Sequence, residues 1–284
     1  MVERARVGSE ENGASAQAPA RGRVRRLTVS GVELELYEGG EGPPLLMLHG
    51  FLELPVWAEH HDLLAQRYHV LAPSLPGYGG SVRPAWLESI GDLAYLGLDL
   101  IDTLGLDGVS LVGHSLGGWM AAEMAVRCCH RLRKLVLADA VGVRCGGPVT
   151  RAGGFITDWL VLEPDQLRPL AWHDPATGQR LKLPGEAATS QEELTTIIAG
   201  REAATVYGWK PFFFNPRLPQ WLHRIHVPTL VVWGEHDGIV PREAGQAYAD
   251  GIPGARFVTV PDTAHLPHLE QPAAFARLVT DFLA

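Results

Sequence analysis

The chain has 284 residues, of which 46% are hydrophobic and 20% are charged, and its formal net charge is −8 at pH 7. This composition is typical of one large globular domain and excludes disorder over most of the length. The negative charge offers no basic footprint for nucleic acid or an anionic membrane, and no apolar run approaches the roughly 18 residues of a membrane span. We therefore expect neither nucleic acid nor a membrane as a partner.

The three cysteines form neither a disulfide framework nor a zinc pattern, because Cys128 and Cys129 are adjacent and Cys145 stands alone. We expect free thiols, no bound metal and a reducing cytoplasm. Two histidine pairs, His60 with His61 and His223 with His226, lack the carboxylate or thiolate pattern of a metal site. They are predicted to be solvated surface residues.

Residues 1–26 are rich in Ala, Gly, Glu and Arg and lack the apolar core of a secretory signal, so we expect a disordered tail there. From Leu27 onward, short apolar runs alternate with helical stretches. The runs predict eight strands, at 27–29, 32–37, 45–48, 69–72, 109–112, 135–138, 230–233 and 257–260. The helical stretches lie at 57–66, 90–104, 119–131, 242–250 and 273–283.

The first two strands are joined by Ser30-Gly31 and alternate polar with apolar residues, as an antiparallel edge hairpin does. The later strands are continuously apolar, as expected of parallel strands that are covered on both faces. The alternation of strands and helices predicts an α/β fold with a mostly parallel eight-stranded sheet and helices on both faces.

The alternation stops between residues 141 and 227, and a structureless loop of that length is implausible in a compact domain. We expect a mostly helical cap inserted after strand 6, which divides the core into residues 27–140 and 228–284. Both ends of the cap join the carboxyl edge of the sheet, so it can cover that edge as a lid. Most of its aromatic residues are expected to form a small core, and others to line an apolar pocket. They are Trp159, Trp172, Trp209, Trp221 and Phe212–Phe214.

The apolar run 109–112 leads into the motif Gly113-His114-Ser115-Leu116-Gly117, which is followed by a helical stretch. A Gly-x-Ser-x-Gly motif between strand and helix is typical of a nucleophile elbow, in which a strained turn holds the serine hydroxyl in the open. Glycines suit the flanking positions because a Cβ would crowd the close approach of strand and helix. The sequence therefore favours a catalytic Ser115 over a structural turn.

A serine hydroxyl is a poor nucleophile until a base removes its proton. Of the 12 histidines, His265 is the best candidate, because it follows the last strand across loop 261–264 and so lies at the carboxyl edge of the sheet. We expect His268 to pack against that loop. For the carboxylate that orients the imidazole, Asp237, just past strand 230–233, is favoured over its rival Asp139.

The segment His49-Gly50-Phe51 follows the third strand directly. An oxyanion that forms on the substrate needs N–H donors there, and we expect them to be the main-chain N–H groups of Phe51 and Leu116. His49 is expected to close its loop by hydrogen bonds, and Gly50 gives the backbone room to turn.

These motifs, from about residue 32 to the C-terminus, resemble the α/β-hydrolase fold superfamily in its cap-bearing serine hydrolase branch. The family order Ser, Asp, His is present. Ser74 stands where relatives usually carry aspartate and Ala264 where they carry glycine, which bears on loop geometry more than on chemistry. The matching segments are His49–Phe51, Pro76–Ser81, Gly113–Gly118, Gly234–Pro241 and His265–Pro272.

The resemblance implies hydrolysis without a cofactor, through an acyl-enzyme on Ser115, with a small apolar ester-like substrate and water as partners. Serine at the elbow excludes relatives that use aspartate there, the haloalkane dehalogenases and epoxide hydrolases. A carboxylesterase is favoured. The alternatives are a C–C bond hydrolase of vinylogous diketones, a lactonase, perhydrolase or amidase, and a slow-turnover ligand receptor of the same fold. The sequence gives no indication of the oligomeric state.

Overall fold

The computed structural model describes residues 22–53, 55–144, 156–174, 176, 190–209 and 212–284. Its centre is an eight-stranded sheet with the strand order β1-β2-β4-β3-β5-β6-β7-β8. The strands are β1 (Arg23–Val29), β2 (Val32–Gly39), β3 (Pro44–Leu48), β4 (His69–Pro73), β5 (Val109–His114), β6 (Leu132–Ala138), β7 (Thr229–Gly234) and β8 (Arg256–Val260). This architecture confirms the predicted mostly parallel α/β sheet.

Strands β1 and β2 form the predicted hairpin, and β2 also runs antiparallel to β4, whereas the other neighbouring strands are parallel. The hairpin turn has φ angles of 48° at Ser30 and 79° at Gly31, and two positive φ angles match the right-handed twist of the paired strands. β1 begins at Arg23, so the predicted boundary at residue 27 was wrong. Arg23 and Arg25 pair with Glu38. The first residues of this edge strand are mostly polar, so no apolar run in the sequence marks them.

The helices cover both faces of the sheet, as predicted. Helices α2, α3 and α7 pack in the larger hydrophobic cluster. On the other face, Leu64 of α1 and Phe275 of α9 pack with Val112 of β5 in a second cluster. The helices are α1 (Glu59–Ala65), α2 (Ile90–Thr103), α3 (Ser115–Cys128), α4 (Pro164–Ala171), α5 (Gln191–Gly208), α6 (Leu218–Trp221), α7 (Arg242–Gly251), α8 (Pro267–Glu270) and α9 (Pro272–Leu283).

Helix α3 begins at Ser115, four residues before the predicted start. The prediction was late because Gly117 and Gly118 disfavour a helix by propensity. Both are needed in the first turn because it lies against backbone. A Cβ on Gly117 would be 2.3 Å from the main-chain oxygen of Leu48.

Helices α4, α5 and α6 lie between β6 and β7, where the sequence predicts a helical insertion. Trp159 and Trp172 are buried in this segment, as a small core requires, whereas Trp209 and Trp221 are about half exposed. The predicted limits of the cap, residues 141 and 227, stay predictions. Of the predicted tail 1–26, residues 1–21 lie outside the described residues, as does Cys145, whereas residues 23–26 belong to β1. Among the described helices, none has both the length and the apolar character of a membrane span.

Candidate active site

Ser115 lies at the junction of β5 and α3 with a φ of 52°, in the left-handed region that residues other than glycine seldom adopt. A Cβ on Gly113 would be 2.3 Å from the main-chain oxygen of Gly117. Glycine is therefore required where the chain doubles back. The strand–turn–helix geometry predicted for this motif is present, and it puts Ser115 at the carboxyl end of a central strand.

Three side chains that are distant in sequence meet at this edge of the sheet. Ser115 Oγ is 2.9 Å from His265 Nε2, and His265 Nδ1 is 2.9 Å from Asp237 Oδ2. The other oxygen of Asp237 accepts the N–H groups of Ile239 at 2.8 Å and Val240 at 3.0 Å. This arrangement keeps the proton of the imidazole on Nδ1 and leaves the lone pair of Nε2 directed at the serine hydroxyl.

The three side chains are buried, with exposed fractions of 0% for His265 and 1% for Asp237, and Ser115 is likewise inaccessible. The expectation of an open serine hydroxyl was therefore wrong. The reason is that the segment between β6 and β7 packs over this edge. From that segment, Trp159 stacks on Phe51 with ring centroids 4.7 Å apart, and Phe213 lies 4.8 Å from the same ring.

The main-chain N–H groups of Phe51 and Leu116 donate no hydrogen bond to any other described residue. Leu116 is in the first turn of α3, where N–H groups have no acceptor within the helix. The next N–H group, that of Gly117, donates to the carbonyl of His49 at 3.1 Å. This bond ties the elbow to the loop that carries Phe51. Two N–H groups thus stay available for a developing oxyanion.

His49 closes its own loop, as the sequence predicts. Its Nδ1–H donates to the carbonyl of Gly50 at 2.8 Å, and its Nε2 accepts the N–H of Leu75 at 2.9 Å. Both ring nitrogens are therefore engaged, and burial lowers the pKa of His49. A neutral histidine with two structural bonds holds the loop and takes no part in proton transfer.

Asp139, the rival carboxylate, is buried near Asp237. One of its oxygens accepts the N–H of Gly234 at 2.7 Å, and the other has no hydrogen-bond partner among the described residues. Burial raises the pKa of Asp139 well above its usual range, and the charge of Asp237 adds to the effect. His265 Nδ1 contacts Asp237 at 2.9 Å, and the raised pKa of Asp139 disfavours its charged form, so the geometry and the direction of that shift favour Asp237 as the partner of His265.

A family model described as the alpha/beta hydrolase family matches residues 45–278. The chain belongs to the alpha/beta hydrolase family. This finding agrees with the resemblance noted in the sequence motifs. The eight-stranded sheet is the fold of that family, and the protein is a hydrolase of that fold.

The names of proteins similar to this α/β hydrolase indicate that they hydrolyse different kinds of substrate. The chain is 28% identical to the 2-hydroxymuconate semialdehyde hydrolase of Pseudomonas sp. strain CF600, over 92% of this chain and 93% of that one. A thermophilic esterase from Thermogutta terrifontis superposes with a TM-score of 0.71 at 26% identity, over 92% of this chain and 98% of that one. The 2-hydroxy-6-oxo-6-phenylhexa-2,4-dienoate hydrolase of Rhodococcus sp. strain RHA1 has a TM-score of 0.73 at 20% identity, over 93% and 99% of the two chains.

The two departures of this α/β hydrolase from the family pattern lie in hydrogen-bonded loops. Ser74 Oγ donates to Glu35 at 2.9 Å. The N–H of Ala264 donates to Glu270 at 2.6 Å. Both loops keep a defined geometry, so neither departure disturbs the approach of His265 to Ser115.

Two main-chain acceptors of the hydrolase carry no signal in the sequence. At the end of α4, the carbonyl of Leu170 accepts the N–H of Gly238 at 3.0 Å, and that of Ala171 accepts the N–H of His265 at 3.1 Å. These bonds attach the segment between β6 and β7 to both loops that carry the histidine and the carboxylate. Any residue type supplies a carbonyl, so no motif could have indicated them.

A histidine cluster of the hydrolase was also missed. His60 and His61 are buried, so their predicted surface location was wrong, whereas His223 and His226 are exposed as predicted. The reason is that α1 turns this face toward α8 and α9. The ring of His60 lies 4.8 Å from that of His268.

Proposed function

We propose that this hydrolase cleaves an ester-type acyl bond of a small apolar substrate through an acyl-enzyme on Ser115. The observation that carries the proposal is the unbroken series of contacts from Ser115 Oγ through His265 to Asp237, with 2.9 Å at each step. His265 takes the hydroxyl proton while Oγ attacks the acyl carbonyl. The oxyanion then accepts the N–H groups of Phe51 and Leu116.

The first half of the reaction ends when His265 gives its proton to the alcohol oxygen, the bond from that oxygen to the acyl carbon breaks, and the acyl group stays on Ser115. Water carries out the second half. A water molecule that loses a proton to His265 attacks the acyl carbon, and the acid departs while Ser115 recovers its proton. A positioned base contributes about 10²- to 10⁴-fold in rate, and each oxyanion donor about 10²- to 10³-fold. No cofactor takes part in this scheme.

The surroundings of the serine favour an uncharged substrate. Phe51, Trp159 and Phe213 form an apolar wall near His265, and the ring of Phe51 lies 6.0 Å from the imidazole. An apolar wall of this kind suits an uncharged acyl group.

The segment 141–227 is proposed to be a helical cap that acts as a lid over this site. Its Trp159 and Phe213 pack on Phe51, which carries one oxyanion donor. Substrate entry then requires a rearrangement of these aromatic side chains, because Ser115 is buried. Closure excludes water from the reacting atoms and strengthens the electrostatic interactions there.

C–C bond hydrolysis of vinylogous diketones is the second candidate. It is favoured by the 28% identity to the 2-hydroxymuconate semialdehyde hydrolase over 92% of this chain. That substrate is, by its name, a carboxylate, whereas the wall that Phe51, Trp159 and Phe213 form is apolar. We therefore rank this candidate second.

A substrate panel tests the proposal. Purified protein is assayed with p-nitrophenyl esters of two to eight carbons and with a coloured vinylogous diketone, and Ser115→Ala is the matched control. We expect a burst of p-nitrophenol followed by steady turnover on the short esters, and an acyl adduct on Ser115 by intact mass.

Three results would contradict this function. Turnover of the diketone with no activity on esters would indicate a C–C hydrolase. A burst without turnover would indicate a slow ligand receptor. Equal activity of Ser115→Ala would remove the serine from the mechanism.

A further inference from the structure

A buried polar cluster lies beside His265 and takes no part in the reaction scheme above. At its centre, Glu53 accepts the N–H of Gly50 at 2.7 Å and that of His268 Nε2 at 2.8 Å. His114 Nδ1 is in direct contact with Glu53 Oε1. The side chains of Glu53, His114 and His268 have exposed fractions of 11%, 6% and 4%. The geometry of this cluster determines where its protons lie.

His114 Nε2 lies 2.6 Å from the main-chain carbonyl oxygen of His265. A carbonyl oxygen only accepts hydrogen bonds, so Nε2 must carry a proton. A neutral imidazole has one N–H, and Nδ1 would then present a lone pair to the carboxylate of Glu53. Two lone pairs in contact at a buried site are unfavourable, and a second proton on the ring converts the contact into a charge-assisted hydrogen bond.

We propose that His114 is an imidazolium, held by Glu53, that positions the catalytic histidine by donating Nε2–H to the main-chain carbonyl of His265. The inference deepens the proposed function and rests on it, because it assumes that His265 is the base. His114 is a positioning residue, since it touches neither the substrate nor Ser115 Oγ.

The second proton belongs on His114 because Glu53 is in the carboxylate form. Burial by itself raises the pKa of Glu53, but the neighbouring His268 and His114 outweigh it and hold the pKa well below its usual range. Glu53 also receives the N–H groups of Gly50 and His268. A carboxylate that accepts several N–H bonds is stabilised in its charged form.

Four other histidines, His49, His60, His61 and His268, border the same cavity of about 150 Å³. Burial lowers the pKa of each, to about 3 for His61. Unlike His114, His268 has one ring nitrogen on Glu53 and the other without a hydrogen-bond partner among the described residues, so its contacts require a single proton. The titratable groups that surround His114 are His49 and Glu53 after β3, His60 and His61 of α1, and His265 and His268 near α8.

The peptide of His265 is held from two sides. Its N–H donates to the carbonyl of Ala171 in the inserted segment, at 3.1 Å, and its carbonyl accepts Nε2–H of His114 in the core. The position of this peptide sets where the imidazole meets Ser115. A displacement of 1 Å in an active site can cost about 100-fold in rate.

A bound divalent metal ion is a poorer explanation of the cluster. A metal between Glu53, His114 and His268 would bind His268 through Nε2 and require its proton on Nδ1. That nitrogen is buried and has no hydrogen-bond partner among the residues described. A proton on Nδ1 there would be an unsatisfied donor.

The first test needs no substitution. Nitrogen NMR of the ¹⁵N-histidine-labelled wild-type protein, at the pH of turnover, is expected to show protons on both ring nitrogens of His114, assigned by its loss in His114→Asn. In Glu53→Gln the negative charge that holds the second proton is absent, so His114 is expected to become singly protonated. A singly protonated His114 in the wild type would overturn the proposal, as would stoichiometric zinc that Glu53→Gln no longer binds.

The second test is kinetic. The shorter side chain in His114→Asn does not reach the carbonyl of His265, so we expect kcat to fall about 10- to 100-fold while KM changes less than about twofold, because the substrate contacts are intact. The matched control is His60→Gln, which borders the same cavity without contacting His265; its kcat is expected to stay within about twofold of the wild type.

Equal kcat values for His114→Asn and His60→Gln would overturn the positioning role. A wild-type protein that turns over no ester would refute the proposed function instead. The protonation state of His114 is measured independently of any substrate, so the two failures are distinguishable.

Discussion

Replacement of Asp237 by asparagine tests the assignment of the orienting carboxylate. In the native site, Asp237 Oδ1 accepts the N–H groups of Ile239 and Val240, while Oδ2 accepts His265 Nδ1–H. An asparagine has one acceptor oxygen. Since two main-chain donors require an acceptor, the oxygen must take the place of Oδ1, and the NH₂ group must then face His265.

This orientation determines the magnitude of the effect. An NH₂ group beside Nδ1 forces the proton of the neutral imidazole onto Nε2, where it cannot accept the hydroxyl proton of Ser115. Loss of the correct tautomer in a Ser-His-Asp triad reduces kcat by about 10⁴-fold, which corresponds to about 5.5 kcal/mol of transition-state stabilisation. We expect Asp237→Asn to fold normally and to show this loss.

The assay compares kcat on a p-nitrophenyl ester for Asp237→Asn and Asp139→Asn. Burial raises the pKa of Asp139 well above its usual range, which favours the uncharged form that asparagine imitates, and the asparagine oxygen still accepts the N–H of Gly234. We expect Asp139→Asn to stay within about tenfold of the wild type, in contrast to a triad residue. A reversed order, with Asp139→Asn severely impaired and Asp237→Asn active, would refute the assignment.

Two further predictions concern stability and the elbow. Burial lowers the pKa of His61 from 6.5 to about 3, so the folded state favours neutral His61. The resulting contribution to the free energy of unfolding is complete above pH 6.5 and is lost as the pH falls toward 3. At pH 5 the loss in free energy of unfolding is about 2 kcal/mol. In His61→Gln the amide oxygen can still accept the N–H of Ala58, so urea unfolding should show a smaller loss of stability between pH 7 and pH 5 than in the wild type. Equal losses in the two proteins would contradict this cause. In Gly117→Ala the new Cβ would lie 2.3 Å from the main-chain oxygen of Leu48. We therefore expect the free energy of unfolding to fall by about 1–3 kcal/mol and kcat to fall about 100-fold. The control Gly91→Ala, in helix α2 with its nearest contact at 3.4 Å, should keep kcat unchanged and lose no stability, since alanine is the better helix former. Equal activity of Gly117→Ala and the wild type would show that the backbone around Ser115 adjusts to the added Cβ.

The meeting of Ser115, Asp237 and His265 could be predicted because each follows a recognisable apolar strand. Parallel strands bring their carboxyl ends to one edge, so position along the chain becomes position in space. The contacts of Glu53 could not be predicted in this way. It contacts His114, 61 residues away, and His268, 215 residues away, and neither contact leaves a local pattern.

The burial expected from the sequence was also wrong for residues that are covered by elements distant along the chain. His60 and His61 have the polarity of surface residues, but α1 packs this face toward α8 and α9. Ser115 was expected in the open, and the inserted segment covers it. In both cases the deciding neighbours lie more than 40 residues away, outside the range of periodicity arguments.

The bonds from the end of α4 to Gly238 and His265 bear on how such an enzyme diversifies. Because the acceptors are peptide oxygens, the side chains of Leu170 and Ala171 can vary without removing these two bonds, provided that the backbone keeps its path. Point substitutions at these two positions therefore leave both loops attached. Replacement of the whole inserted segment by that of another α/β hydrolase would instead remove the hydrogen bonds that hold the loops of Asp237 and His265. We expect such a chimera to lose turnover before it loses the ability to fold.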